Sequence, residues 1–289
     1  MRIKNSNVTR HNYSEIYQKV NLILKKYKKN NSFVVGVSGG PDSLALVSIT
    51  KSIAIEKKYK FFFALVDHGL RKNSNKEALS IKKLLKKQNL TLSILKNKQK
   101  ITKNIQKKAR DIRYELLGKF CEKKNAKSLL VAHHQDDQIE TIYMRLGHNS
   151  GLIGLAGIKK QRLFQGIKLI RPLLDQKKVD LDNYCRDKKI KYAEDPSNYV
   201  MRYERVRARA HLQADKRLSK QLLQLGQYAE KIASVFQKYC SVWCAKHIQV
   251  ELPVYASMPL DEFLCLPEIC LLYTSDAADE GLGVDLGGR

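Results

Sequence analysis

Phe33-Val34-Val35-Gly36-Val37-Ser38-Gly39-Gly40-Pro41-Asp42-Ser43 is an apolar run that empties into a glycine turn. A short run without polar alternation reads as a strand buried on both faces. Small hydroxyl residues then open a helix near Ser43. Several backbone N–H groups and a helix N-terminus thus point at one spot, which suits an anion such as phosphate. The common phosphate loop ends in Gly-Lys-Ser or Gly-Lys-Thr. Here that lysine is absent, and Asp42 stands in the turn instead. A carboxylate repels bare phosphate but suits phosphates bridged by Mg2+. An ordinary strand–helix turn needs glycine for its backbone angles, yet it does not need both serines, both glycines and the acid together.

Outward from this turn, apolar strands alternate with helices. Ile16, Val20, Ile23 and Leu24 mark a helix over 14–29, and strand 33–37 leads to a helix over about 43–57. The run 61–66 is a second strand ending at Asp67-His68-Gly69, and Ser74 with Glu77 is a capping-box signature for a helix to about 88. Further strands are expected at 91–95 and 128–132, with helices over about 103–124 and 136–146. The stretch 163–174 adds a fifth strand closing at Pro172, followed by helices over 177–189, 203–212 and 219–248. The stripe Leu222, Leu225, Ala229, Ile232 and Val235 reads as packing. This pattern predicts an α/β fold, a doubly wound parallel five-stranded sheet followed by a helical segment. Ligands of such sheets bind beyond the C-terminal strand ends, where the Ser38 turn, Asp67-His68 and His133-His134 all fall.

His133-His134-Gln135-Asp136-Asp137-Gln138-Ile139-Glu140 opens the helix after the fourth strand. First-turn carboxylates suit the helix dipole, so capping accounts for one or two of them but not for the adjacent histidines. A site for Mg2+ or for a substrate amine fits better than structural zinc. Arg110 and Arg113 sit one turn apart on the preceding helix and suit a phosphate or a base edge, or simply a solvated basic face. Asp195-Pro196-Ser197-Asn198 is a turn by composition, ahead of Arg202, Arg205, Arg207 and Arg209.

The chain has 289 residues and carries 54 Lys and Arg against 28 Asp and Glu, a formal charge of +26. Lysine-rich coding bias explains Lys in place of Arg but not that excess, which suits a nucleic-acid partner. The N-terminus shows no secretory leader, and no apolar run reaches the roughly 20 residues of a membrane span. Its cysteines (Cys121, Cys185, Cys240, Cys244, Cys265, Cys270) lack zinc or CxxC spacing, so reduced thiols and a cytoplasmic location are expected. From Cys270 onward lysine vanishes and acids outnumber the single terminal arginine. That tail resembles translated sequencing-adapter read-through, and the native protein is expected to continue differently past Ile269.

Together the segments resemble the tRNA(Ile)-lysidine synthetases of the PP-loop ATP pyrophosphatase superfamily. The Ser-Gly-Gly-Pro-Asp-Ser turn marks the superfamily. The narrower likeness lies in Val66-Asp67-His68-Gly69-Leu70-Arg71, Lys108-Ala109-Arg110-Asp111-Ile112-Arg113-Tyr114 and the 132–141 segment, continuing through 151–157, Arg171-Pro172-Leu173-Leu174 and 194–198. The resemblance implies ATP-dependent adenylation of C2 of the wobble cytidine in a tRNA(Ile) with a CAU anticodon. Free L-lysine then displaces AMP. It further implies ATP and Mg2+ as cofactors, with Ser38, Gly39, Gly40, Pro41, Asp42, Ser43, Val66 and His68 around the nucleotide. Asp42, His133, Asp137 and Glu140 would act in catalysis, with Asp42 and Asp137 on the metal, and Arg110, Arg113, Asp136 and Arg205 on substrate.

On this reading 1–212 is the catalytic domain, 213–269 a helical linker entering a truncated tRNA-binding domain, and 270–289 a non-native tail. A homodimer is left open, and no membrane is involved. Gln106 replaces the glutamate usual in the family. A PP-loop tRNA thiolase and a non-catalytic RNA-binding fragment remain as alternatives, although no paired cysteines are placed for sulfur transfer.

Overall fold

Val34 and Val35 point to opposite faces of one strand and neither is exposed, so helices must cover the sheet on both sides. The computed structural model describes every residue except 1–4, 29, 58, 72, 100, 103–104, 193–200, 248, 252–254 and 258–289. The expected turn at 195–198 and the tail from Cys270 lie outside the described residues. In chain order the elements are α1 (Asn5–Leu24), β1 (Ser32–Gly36), α2 (Pro41–Lys57), β2 (Lys60–Asp67), α3 (Ser74–Lys86) and β3 (Leu92–Lys96). Then come α4 (Ile105–Lys123), β4 (Ser128–Leu130), α5 (Gln135–Gly147), α6 (Leu152–Leu155), β5 (Gln161–Phe164), β6 (Ile167–Ile170) and α7 (Lys178–Asp187). The chain continues through α8 (Glu204–Ala214) and α9 (Lys216–His247) to an antiparallel pair, β7 (Gln249–Glu251) and β8 (Tyr255–Ser257).

The chain divides into two compact units, Met1–Gln138 with Lys159–Val200, and Ile139–Ile158 with Met201–Arg289. The first holds a sheet of six strands, not five, in the order β3-β2-β1-β4-β6-β5. All neighbours are parallel except β5 and β6. The expected fifth strand is instead a hairpin, because Gln165 and Gly166 both take positive φ (47° and 74°). Two such residues in succession make a tight turn whose twist matches the flanking strands. Glutamine seldom signals this conformation.

From β1 the chain winds outward through β2 and β3, then returns to place β4 on the other side of β1. The order therefore reverses between β1 and β4, where crevices open at the C-terminal strand ends. One sheet face packs Phe33, Val35, Leu130 and Ile170 beneath α1, α2, α3 and α7. The opposite face packs Val34, Leu129 and Leu169 with Tyr114 and Leu117 of α4. The expected capping box does not form. Asn73, not Ser74, precedes α3 without a side-chain cap, and Glu77 pairs with Arg71 at 3.2 Å.

The second unit has its own small core of Ile142, Leu212 and Leu222. Asp215 separates α8 from α9, and its Oδ1 accepts from the Leu218 N–H at 2.9 Å. Gly226 lets α9 come close to α5, since a Cβ there would stand 2.3 Å from Ile142 Cδ1.

Candidate active site

The turn after β1 is held by Ser43, which is 3% exposed. Its Oγ accepts from the N–H groups of Ser38 (3.2 Å) and Gly39 (3.1 Å) and donates to the Gly40 carbonyl (2.9 Å). Gly39 is required twice over: its φ is +92°, and a Cβ would meet Ile81 Cδ1 at 2.2 Å. Pro41 opens α2 at the first helical position, where its missing N–H is no loss. Asp42 follows in that first turn, at the positive end of the helix.

Across the order reversal, β4 runs out into Val131 to His134, and His134 immediately precedes α5. The Asp137 N–H donates to His134 Nδ1 at 3.3 Å, while Asp137 Oδ2 accepts from the His134 N–H at 3.0 Å. This is the reciprocal logic of a capping box with imidazole in place of the usual hydroxyl. Nδ1 acts as an acceptor, which leaves Nε2 to face the neighbouring acids. Nε2 lies 3.6 Å from Asp42 Oδ2 and 3.5 Å from Asp137 Oδ2. The ring, 4% exposed, is thus wedged between two carboxylates.

Lys178, at the start of α7, is the fourth member. Its Nζ stands 3.6 Å from Asp42 Oδ2, and its N–H donates to Asp136 Oδ1 at 3.2 Å. Asp136 therefore caps α7 from α5, a role reinforced by the Gln135 N–H bond to the Gln176 carbonyl at 2.8 Å. Burial pushes the Asp42 carboxyl above its usual range; His134 and Lys178 pull it back, and Asp137 and Asp182 push it further up. Asp42 Oδ1 is buried with no hydrogen-bond partner. A buried carboxylate oxygen left open is costly to the protein alone and suits a hard cation. No cluster of three or more metal-ligating side chains occurs among the described residues, so such an ion would draw its remaining oxygens from phosphate and water.

At the end of β2, Asp67 is 8% exposed and its Oδ1 accepts from the Gly69 N–H at 3.0 Å. Both ring nitrogens of His68 are buried without a protein partner. Burial, then the charge of Arg113, push the imidazole down to about 4, against a smaller opposing pull from Asp67. His68 is therefore neutral at physiological pH. Val66 is half-buried against the α4-side core. Arg110 and Arg113 stand on the exposed face of α4.

The first unit thus brings together Asp42, Asp137 and the Ser38–Ser43 turn, with His133 half-buried in the segment after β4. His134 and Lys178 were not singled out by sequence. Adjacent histidines cannot be ranked without knowing which ring folds back onto the helix, and Lys178 lies far along the chain with no local signal. Glu140 belongs to the second unit, 2% exposed. Its Oε2 accepts from Arg205 Nε at 2.8 Å and its Oε1 from Arg209 Nε at 2.7 Å. Arg205 also donates to Thr141 Oγ1 at 3.2 Å. Arg209 was seen in sequence only as part of a basic stripe; its four-residue spacing from Arg205 was the available sign.

A parallel sheet with a serine–glycine turn after β1 and an acid in the first turn of α2 defines a nucleotide-binding α/β protein. Residues 12–215 match the PP-loop domain model, and the chain belongs to that family. It is 35% identical to the tRNA(Ile)-lysidine synthase of Wolbachia pipientis wMel over 245 residues, covering 83% of this chain and 57% of that protein. The corresponding enzyme of Novosphingobium aromaticivorans is 36% identical over 187 residues, 64% of this chain and 56% of its own. The chain therefore spans a little over half the length of these relatives. In fold it resembles the U34-tRNA thiolase NcsA from Methanococcus maripaludis, with a TM-score of 0.65 at 18% identity over 78% of this chain and 79% of that one. Among the described residues no helix is long and apolar enough to cross a membrane.

Proposed function

We propose that this chain belongs to an enzyme that joins lysine to C2 of the wobble cytidine of tRNA(Ile) bearing a CAU anticodon, with ATP as the activating substrate. The observation that carries the reading is Asp42: a first-turn carboxylate with one open, buried oxygen, faced by His134, Asp137 and Lys178 at the β1–β4 reversal. The cytidine C2 oxygen attacks the α-phosphorus of ATP and pyrophosphate leaves. The neutral lysine amine then adds at C2, AMP departs with the C2 oxygen, and the amine proton passes to a nearby base.

The N–H groups of Ser38 and Gly39 are taken up by Ser43 Oγ, so the phosphates are received by the N-terminus of α2 just beyond the turn. Mg2+, held by Asp42 and Asp137, would neutralise charge developing on the departing pyrophosphate. Lys178 neutralises Asp42 before nucleotide arrives. His68, neutral with open nitrogens, suits the adenosine edge beside Val66. Arg113 suits an anticodon phosphate or base, and His133 the activated base. Glu140 with Arg205 is assigned to lysine recognition, with the two guanidinium groups fixing the carboxylate.

Sulfur transfer finds no support in Cys121 and Cys185. Both are buried, and burial pushes each thiol up to about 12, far from the thiolate such chemistry needs. The deciding assay incubates the protein with ATP, labelled lysine and tRNA(Ile) transcript. Lysine should enter the CAU transcript, and Asp42→Ala should abolish it. Absence of incorporation by the parent chain with a folded transcript, or transfer of labelled sulfur, would defeat the reading.

A further inference from the structure

A second polar constellation lies on the α4 face of the sheet. Tyr114 of α4 is 5% exposed and packs against Phe164 of β5 with ring centroids 5.7 Å apart. The Arg110 guanidinium stands 5.7 Å from the centre of the Tyr114 ring, and that of Arg162 5.8 Å from it and 5.5 Å from Phe164. Arg171, one residue past β6 and 4% exposed, donates through Nη1 to the Lys159 carbonyl at 2.5 Å. The Nε groups of Arg162 and Arg171 are both buried with no acceptor.

Among the described residues no ion pair involves Arg110, Arg162 or Arg171. Burial chiefly lowers the Arg171 pKa; Tyr114 opposes this, while Arg162 and Arg110 lower it further. Stacking on aromatic faces accounts for two of the three side chains. It does not account for buried N–H donors left open in a cluster of like charge, which is unfavourable until an anion arrives. Planar guanidinium groups with free N–H edges match phosphate oxygens.

Two features favour a polynucleotide as the source of that phosphate. The Tyr114 and Phe164 rings pack with Val34 and Leu129 on the α4 face, whereas Ile81, against which Gly39 turns, packs with Val35 and Leu130 on the other. Tyr114 and Phe164 therefore belong to the α4 face of the sheet and Gly39 to the other. Positive charge also continues outward along α4 through exposed Lys107, Lys108 and Arg113, a track suited to successive phosphates. We propose that Arg110, Arg162 and Arg171 form a phosphate site that receives a backbone phosphodiester of the bound RNA. This rests on the RNA half of the reading above, not on lysine transfer.

The test measures binding of the full chain to two labelled RNA hairpins, one with the CAU loop and one unrelated, between 50 and 200 mM KCl. Backbone contacts carry no sequence information, so Arg162→Gln should weaken both hairpins alike, by roughly tenfold at low salt, and lower the salt slope by about one. Arg162→Lys should restore most of the slope. ATP affinity should stay at the parent value. Unchanged RNA affinity and slope in a normally melting Arg162→Gln protein would overturn the proposal. So would a lysine variant indistinguishable from the glutamine one. Weaker binding of ATP or inorganic pyrophosphate with RNA binding intact would instead make the phosphate a nucleotide's. Failure of lysine incorporation with the slope effect intact would defeat only the proposed function.

Discussion

Glu140→Gln separates two roles for one buried carboxylate. Its side chain is 3% exposed and accepts at 2.8 Å from Arg205 and 2.7 Å from Arg209, with a weaker third contact from Arg209 at 3.4 Å. Hydrogen bonds to charged groups contribute about 1.5–3 kcal/mol each. Arg205 and Arg209 are 35% and 30% exposed, so water recovers part of what they lose. Glutamine keeps the volume and one carbonyl acceptor but turns an N–H2 donor towards a guanidinium. The loss should therefore be roughly one charged bond, about 2 kcal/mol. At this size that lowers the melting temperature by on the order of 5 °C. Thermal unfolding should show that shift, and a cycle with Arg209→Ala should return a coupling of at least about 1 kcal/mol. A Glu140→Gln protein that melts like the parent would refute the clamp, and one whose lysine KM stays at the parent value would refute its assignment to lysine recognition.

Asp42→Asn should cut lysine incorporation by about 10²–10³-fold. It should not lower the melting temperature at pH 7, because the raised Asp42 pKa means that the folded state holds this charge at a cost above the unfolded pKa; a clear drop would contradict that sign. Gly39→Ala combines a left-handed backbone with a 2.2 Å approach to Ile81. It should destabilise by about 2 kcal/mol or more and weaken ATP binding, and an alanine variant with parental ATP affinity would show that the turn is not held as described. His68 sits near 4 when folded against 6.5 when free. The unfolded chain thus takes up the proton first, and stability should fall as pH drops from about 6.5 towards 4. Urea titrations across that window should show a smaller fall for His68→Asn than for the parent.

The core of the fold was legible because β1, β2 and β4 are unbroken apolar runs, and the helices between them carry their periodicity plainly. The positions of the Ser38 turn, His68 and the 133–137 segment followed from the rule that ligands gather beyond C-terminal strand ends. What escaped was decided by tertiary contact. The β5–β6 hairpin turns on Gln165 in a conformation that glutamine rarely advertises. Asn73, not Ser74, stands at the start of α3, and Glu77 pairs with Arg71. Lys178 reaches Asp42 from a helix whose start Asp136 ties to that of α5.

His134 stands between two acids of the site. Capping α5 uses its Nδ1 and backbone N–H, which fixes the ring and points Nε2 at Asp42 and Asp137. One local bond that any helix start would want thereby sets the spacing of two carboxylates from different strand ends. Replacing His134 by asparagine keeps a capping side chain but removes the wedge between the acids. Folding should then persist while Asp42 and Asp137 are no longer held in place on either side of the ring, so Mg2+ dependence should shift to higher concentration, by roughly a few-fold. Incorporation assays across a magnesium titration would read that shift, and an unmoved midpoint in His134→Asn would show that the imidazole does no more than cap the helix.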